Sequence, residues 1–119
     1  MKKITLLFMS LLMTGFMWAQ CTTGGAYQGV TLANDGTFET QSLCNFTGEY
    51  SNTTQLIDGD TYTFVSNVAS DFITVTSSDA AVVYGFGVSP LTLTLDTSAD
   101  LNDQALRVYY HDDAACGTT

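Results

Sequence analysis

The chain has 119 residues, a formal net charge of −9 at pH 7 and a hydrophobic fraction of 45%. This length predicts a single domain, and the wide distribution of apolar and aromatic residues argues against a disordered acidic chain. The negative charge argues against binding to nucleic acids or to anionic lipid surfaces, because both present phosphate groups that would be repelled. Cations, basic protein surfaces and neutral sugars are compatible with this composition.

The first 19 residues have the pattern of a secretory signal peptide. Lys2 and Lys3 supply a positive start, residues 4–13 are almost entirely apolar, and Ala19 is a small residue at a suitable cleavage position. The apolar run is too short to span a bilayer and no later run is longer, so no transmembrane helix is predicted. We therefore expect a bacterial protein that is secreted or displayed at the cell surface.

The predicted mature module, residues 20–119, is acidic and contains three cysteines. Arg107 is its only lysine or arginine and stands against 12 Asp and Glu residues, which gives a formal charge of −11. Cys21, Cys44 and Cys116 allow one disulfide in any of three combinations and leave one thiol unpaired. Such a bond persists in an oxidising compartment and adds about 3–5 kcal/mol by the loop-entropy estimate.

After the signal, apolar and polar residues alternate with a period of two, which predicts β-strands rather than helices. The first turn signal is Asn34-Asp35-Gly36, whose residues can supply the positive φ of a tight hairpin. Strands are then expected over residues 49–57 and 61–67, separated by Asp58-Gly59-Asp60.

Four more strands are expected in the second half of the chain. Residues 80–86 form a nearly continuous apolar run, which is typical of a strand covered on both faces. The other three alternate: Ile73 and Val75 with Phe72, Thr74 and Thr76; Leu91, Leu93 and Leu95 with Thr92 and Thr94; and Leu106, Val108 and Tyr110 with Arg107, Tyr109 and His111. About seven or eight short strands predict an all-β, two-sheet antiparallel β-sandwich of the jelly-roll or CUB-like kind.

His111-Asp112-Asp113 is the one cluster that resembles a reactive site. A histidine beside carboxylates can titrate near neutral pH or bind a metal. A nucleophilic pair would need a serine or cysteine in a strained turn, and zinc would need more His or Cys ligands than the module provides. We therefore predict that the cluster is a solvated strand end, that His111 is not catalytic, and that the module is not an enzyme.

Calcium is the cation that the acidic loops suit best, because it takes hard oxygen ligands from loops. The candidate ligands are Asp71, Asp112 and Asp113, or alternatively Asp96, Asp100 and Asp103. Neither set matches an EF-hand loop, and solvated turn carboxylates are the alternative interpretation. Otherwise no cofactor is expected.

Several tyrosines are candidates for stacking on sugar rings. They are Tyr27, Tyr50, Tyr84 and Tyr109. Tyrosines also fill the cores of β-sandwiches, and the only tryptophan, Trp18, lies in the signal. An exposed, planar row of tyrosines would favour a carbohydrate-binding module, whereas buried tyrosines would argue against it.

The order of several sequence blocks resembles β-sandwich modules of large secreted proteins from flavobacterial-type bacteria. The blocks are Gly48-Glu49-Tyr50-Ser51-Asn52, Gly59-Asp60-Thr61-Tyr62-Thr63-Phe64, Asp71-Phe72-Ile73-Thr74-Val75, Gly87-Val88-Ser89-Pro90-Leu91-Thr92, Leu106-Arg107-Val108-Tyr109-Tyr110-His111 and Ala115-Cys116-Gly117-Thr118. The resemblance covers residues 21–119. It implies neighbouring adhesive modules on the same polypeptide and a C-terminal sorting domain for type IX secretion.

The blocks around Asp71 and at residues 108–113 are also similar to paired blocks of CUB domains. In that family two aspartates and a further acidic residue hold calcium, and the resemblance places Asp71 and Asp113 at the two aspartate positions. The acidic residue expected before Asp71 is missing from this chain.

The sequence thus predicts a non-catalytic extracellular module that acts in adhesion, binding or spacing, with other modules of its polypeptide, surface glycans or surface proteins as partners. The alternative is a carbohydrate-binding module attached to a secreted hydrolase. The odd cysteine count also predicts that the chain is truncated at its C-terminus. The modules that it resembles continue into a short Arg-containing strand that ends in a fourth cysteine.

Overall fold

The structure, a computed structural model, describes residues 21–44, 46–95 and 106–118. These residues form seven strands and no helix, which confirms the all-β prediction. The strands are β1 (Gly25–Thr31), β2 (Glu49–Thr54), β3 (Thr61–Phe64), β4 (Phe72–Thr76), β5 (Val83–Val88), β6 (Leu91–Thr94) and β7 (Leu106–His111).

The strands form two sheets. The larger sheet has the order β1-β2-β7-β4-β5, and the smaller sheet pairs β3 with β6. Every pair is antiparallel except β1 and β2, which run parallel with Gly25 opposite Glu49 and Thr31 opposite Thr54. The prediction of antiparallel sheets therefore holds for all but one pair.

A parallel pair cannot be joined by a tight hairpin, because the chain must return to the same end of the sheet. Residues 32–48, called the crossover segment below, make this return between β1 and β2. Asn34 (φ 54°) and Gly36 (φ 82°) do adopt the predicted positive φ values. The predicted hairpin is nevertheless wrong, because these two residues bend the crossover segment instead.

The hydrophobic core lies between the two sheets. Its buried side chains come from both of them and from the β2–β3 connection: Leu56, Phe64, Ile73, Val75, Leu91, Leu95, Leu106, Val108 and Tyr110. The alternation predicted for residues 91–95 is confirmed, since Leu91 and Leu95 are buried and Leu93 is half-buried, while Thr92 and Thr94 are exposed. This arrangement of two facing sheets is consistent with a β-sandwich.

The strands covered on both faces are not the ones that the sequence predicted. Every residue of β4 is buried, and β7 is buried except for half-buried Arg107, because these strands lie inside the larger sheet. The apolar run at residues 80–86 begins as a turn, and β5 is a half-buried edge strand. The prediction that this run is covered on both faces is therefore wrong, since hydrophobicity alone does not fix a strand's place in its sheet.

A disulfide joins the two ends of the described chain. Cys21 and Cys116 have sulfur atoms 2.05 Å apart and Cα atoms 5.2 Å apart. Of the three pairings that the sequence allowed, the structure selects this one and leaves Cys44 as an exposed free thiol. No helix in the described ranges is long and apolar enough to cross a bilayer.

Candidate binding groove

A groove of about 790 Å³ lies between the crossover segment and β3. Residues 36–44 of the crossover segment line it, as does the unbroken run of residues 60–67. Successive residues of a strand point to opposite faces, so an unbroken run can line a groove only along the strand's backbone edge. The groove therefore follows the edge of β3 that is not paired with β6.

The side chain of Gln41 fixes the crossover segment to the larger sheet. Its amide nitrogen donates a hydrogen bond to the hydroxyl of Thr53 on β2, and its carbonyl oxygen accepts one from the phenol of Tyr110 on β7 at 2.5 Å. Thr53 and Tyr110 are both buried. Because both hydroxyls are removed from water, they need these protein partners, and the contact holds one wall of the groove in place.

A second set of hydrogen bonds ties the crossover segment to the connection between β2 and β3. Asn34 donates from its side-chain amide to the carbonyl oxygen of Gln55 at 2.8 Å and accepts from the phenol of Tyr62 at 3.1 Å. The same phenol accepts a hydrogen bond from the backbone of Ile57 at 2.9 Å. The groove thus has two walls that are cross-linked through side chains rather than through a sheet ladder.

The lining of the groove carries negative charge. Glu39, Asp60 and Asp71 contribute carboxylates, and no Lys, Arg or His lies among the described residues that line it. Asp71 accepts a 2.5 Å hydrogen bond from the hydroxyl of Ser66. Burial, together with the nearby Asp71 carboxylate, raises the pKa of Tyr110 to about 12, so its phenol stays protonated and continues to donate to Gln41.

The rim of the groove is apolar and exposed. Phe38 is 85% exposed, Leu43 90% and Val65 52%, and all three line the groove. The free thiol of Cys44 lies beside them, and it also lines the groove. Exposed apolar side chains around an acidic groove are typical of a surface that binds a partner.

The structure places His111 away from the groove. Phe72 lies opposite His111 in the larger sheet and Ile73 lies opposite Tyr110, so His111 faces the side of the sheet away from the core. Its ring is fully buried, and Nε2 lies 3.1 Å from the carbonyl oxygen of Thr23, to which it donates in the neutral form. Burial lowers the pKa of His111 against the opposing effects of Thr23 and the neighbouring aspartates.

The two aspartates of the predicted calcium site lie at the same end of the larger sheet but are engaged separately. Asp71 bonds to Ser66, whereas Asp113 accepts hydrogen bonds from the backbone of Ala115 at 2.9 Å and of Gly117 at 3.1 Å. Within the described part of the chain, no three His, Cys, Asp or Glu side chains lie close enough to hold a metal. Asp96, Asp100 and Asp103 lie outside the described residues, and calcium binding stays a prediction.

The tyrosines do not form a stacking platform. All six lie in the described ranges, and none has an exposed side chain: Tyr27, Tyr50, Tyr62 and Tyr84 are half-buried, and Tyr109 and Tyr110 are buried. Tyr50 and Tyr109 have ring centres 5.0 Å apart and planes tilted by 49°. The guanidinium of Arg107 lies 4.6 Å from the centre of the Tyr50 ring and donates to the Tyr109 phenol.

The groove and its anchor, Gln41, were not among the predicted sites. Gln41 lies in a segment without alternation, and nothing in its neighbourhood marks it as different from a solvated loop glutamine. The one signal in the sequence was the pair of apolar residues Phe38 and Leu43 in a mostly polar stretch, and the structure shows both of them exposed. Comparisons of the chain with protein-family models, curated proteins and solved structures find no match.

Proposed function

We propose that this chain is an exported, non-catalytic binding module that takes up its partner in the groove between the crossover segment and β3. The observation that carries the proposal is the groove itself, which has acidic walls, an apolar rim and an anchor at Gln41. A groove held by buried hydrogen bonds is already formed before its partner arrives, which reduces the ordering cost of binding.

Export is part of the same proposal. It is supported by the signal-peptide pattern of residues 1–19 and by the Cys21–Cys116 disulfide, since disulfides persist mainly in oxidising compartments. The resemblance to flavobacterial-type modules supports attachment to further adhesive modules and passage through the type IX system. On this proposal the two sheets are a jelly-roll or CUB-like sandwich, and the module acts in adhesion to surface proteins or glycans.

Binding is favoured over catalysis by the position of the one histidine. His111 lies on the face of the sheet that points away from the core, whereas the groove lies between the crossover segment and β3. The groove itself is lined by hydroxyl, amide, carboxylate and aromatic groups, which can hold a ligand. The carbohydrate-binding alternative loses its main support, because no described tyrosine is exposed.

The proposal is tested by measuring whether beads coated with the module adhere to panels of immobilised proteins and glycans. In one double variant, Phe38→Ser with Leu43→Ser, the rim loses its apolar side chains. In the control, Val82→Ser with Val88→Ser, two exposed valines outside the groove are changed. We expect the beads to be retained on at least one panel member. This retention should be lost with the rim variant and kept with the control.

Retention that survives the rim substitutions would place the binding surface elsewhere and contradict the proposal. The same preparation is incubated with chromogenic ester, glycoside and peptide substrates. Turnover that is abolished by His111→Ala would replace the binding module with an enzyme.

A further inference from the structure

We propose that the groove takes up an extended, basic peptide strand of a partner protein, which adds to β3 as a third strand of the smaller sheet. This inference rests on the proposed function of the same groove and names the chemical class of its partner. Strand addition is a known recognition mode in which backbone hydrogen bonds give affinity and side-chain contacts give specificity.

One edge of β3 is open to an added strand. Within the described residues β3 pairs only with β6, from Thr61 opposite Thr94 to Phe64 opposite Leu91. In an antiparallel ladder alternate residues direct their N–H and C=O groups away from the partner strand. About half of the backbone groups of β3 therefore point into the groove, where they can pair with an added strand.

The composition of this edge also favours strand addition. Natural proteins protect exposed edges with lysine, proline, bulges or a covering segment. The stretch Thr61-Tyr62-Thr63-Phe64-Val65 contains neither lysine nor proline and consists of good strand formers. The register of β3 with β6 has no bulge. A sheet of two strands is also marginally stable by itself, so a third strand would complete it.

The groove is also long enough along this edge to accept a strand. Residues 60–67 line it without interruption. At about 3.3 Å per residue, the four residues of β3 offer an incoming strand a track of about 13 Å. That suits a short β-strand, and the lining residues on either side of β3 extend the groove beyond this track.

Charge and the apolar rim identify the strand. Glu39, Asp60 and Asp71 face it without a basic neighbour among the described lining residues, so lysine or arginine side chains would be attracted. Phe38 and Leu43 offer apolar contacts to the residues in between. A second copy of this chain is the less suitable occupant, because its predicted mature form carries a formal charge of −11 and would be repelled.

Cys44 provides a reporter for the test, because it is the free thiol beside the groove. The probe is a synthetic peptide of about nine residues that alternates lysine and valine and ends in cysteine blocked as a mixed disulfide with thionitrobenzoate. The Cys44 thiolate attacks the peptide sulfur, a Cys44–peptide disulfide forms, and coloured thionitrobenzoate leaves with the electron pair. The exchange needs no added oxidant.

Two control peptides separate strand addition from simple attraction. One keeps the lysines and replaces two valines by proline, which cannot donate to a ladder. The other keeps the valines and replaces lysine by glutamate. We expect the lysine–valine peptide to react at least about tenfold faster than either control, because both backbone pairing and charge contribute to its binding. We also expect the amide hydrogens of residues 61–65 to become protected from exchange when it is bound.

Equal rates for the lysine–valine and proline peptides, or unprotected amides in β3, would overturn the strand-addition inference. If all peptides fail while the Phe38 and Leu43 substitutions still abolish bead adhesion, the inference is wrong and the proposed binding function stands. If sedimentation instead shows the chain dimerising with protection of residues 61–65, the occupant is a second copy and the proposed partner is wrong.

Discussion

The phenol of Tyr110 donates a 2.5 Å hydrogen bond to the side-chain oxygen of Gln41, although the two residues are 69 positions apart in the chain. Tyr110 belongs to β7, in the middle of the larger sheet, and Gln41 belongs to the crossover segment. The same glutamine bonds to Thr53 on β2, so one side chain connects two strands to one wall of the groove.

Replacement of Gln41 by leucine should destabilise the protein by about 1–3 kcal/mol, because it leaves the buried hydroxyls of Thr53 and Tyr110 without their partner. Urea denaturation gives the free energy of unfolding. The matched control Thr40→Ala removes an exposed hydroxyl one residue away and should change it by less than about 0.5 kcal/mol. A Gln41→Leu protein as stable as the control would show that the contact does not anchor the wall.

Removal of the disulfide by the double change Cys21→Ser and Cys116→Ser should lower the free energy of unfolding by about 3–5 kcal/mol, because the bond closes a long loop in the unfolded chain. Its two cysteines are separated by 95 positions. Cys44→Ser is the control, since its thiol is exposed and unpaired. Thermal unfolding monitored by circular dichroism compares the three proteins, and an equal midpoint for all of them would contradict this prediction.

Acidification should destabilise the protein through His111. Its pKa is lowered by burial in the folded state, so the unfolded chain binds more protons and stability falls as the pH drops below about 6.5. Urea titrations at a series of pH values between about 7.5 and 5 measure this slope. In His111→Gln the slope over this window should be smaller, whatever the absolute stability of the variant. An unchanged slope would mean that another group titrates there.

A methyl group at Gly29 should disturb the pairing of β1 with β2. A Cβ there would lie 2.5 Å from the backbone carbonyl oxygen of Asn52, which cannot move without shifting β2, whereas a Cβ at Gly25 meets nothing within 4 Å. We expect Gly29→Ala to cost roughly 1–3 kcal/mol and to increase hydrogen exchange in β1. Gly25→Ala, in the same strand, should do neither, and similar behaviour of the two variants would refute the steric argument.

Calcium should bind no more tightly than the millimolar range, through Asp71 and Asp113. The two carboxylates already accept hydrogen bonds from Ser66 and from the backbone of Ala115 and Gly117, which calcium would have to replace. Calorimetry of the protein and of Asp71→Asn checks this. Micromolar affinity, or an unchanged heat in the variant, would exclude this form of the site.

Local patterns in the sequence predicted most of the strands but not their arrangement. Alternation identified β3, β4, β6 and β7, and the predicted turn at residues 58–60 lies where the structure has it. The parallel pairing of β1 with β2 could not be predicted, because it depends on contacts between segments distant in sequence. Tyr109 and His111 are buried for the same reason, since β7 has neighbouring strands on both sides.

The groove lay beyond sequence reasoning because no periodic pattern marks its lining residues. Gln41 and Asn34 act through partners on other elements, and the edge of β3 becomes visible only when its pairing is known. Aspartates, by contrast, can be recognised as candidate metal ligands in any sequence. Two of them, Asp71 and Asp113, lie at one end of the larger sheet but bond to separate neighbours.

The closeness of Cys21 and Cys116 also determines how the module responds to mechanical force. Their Cα atoms are 5.2 Å apart and covalently linked through the side chains. Tension applied to the chain after Cys116 would therefore enter the fold at this covalent link and be shared between the segment that leads into β1 and the segment that follows β7. Such a pull would load both ends of the fold together instead of peeling β7 alone from the larger sheet.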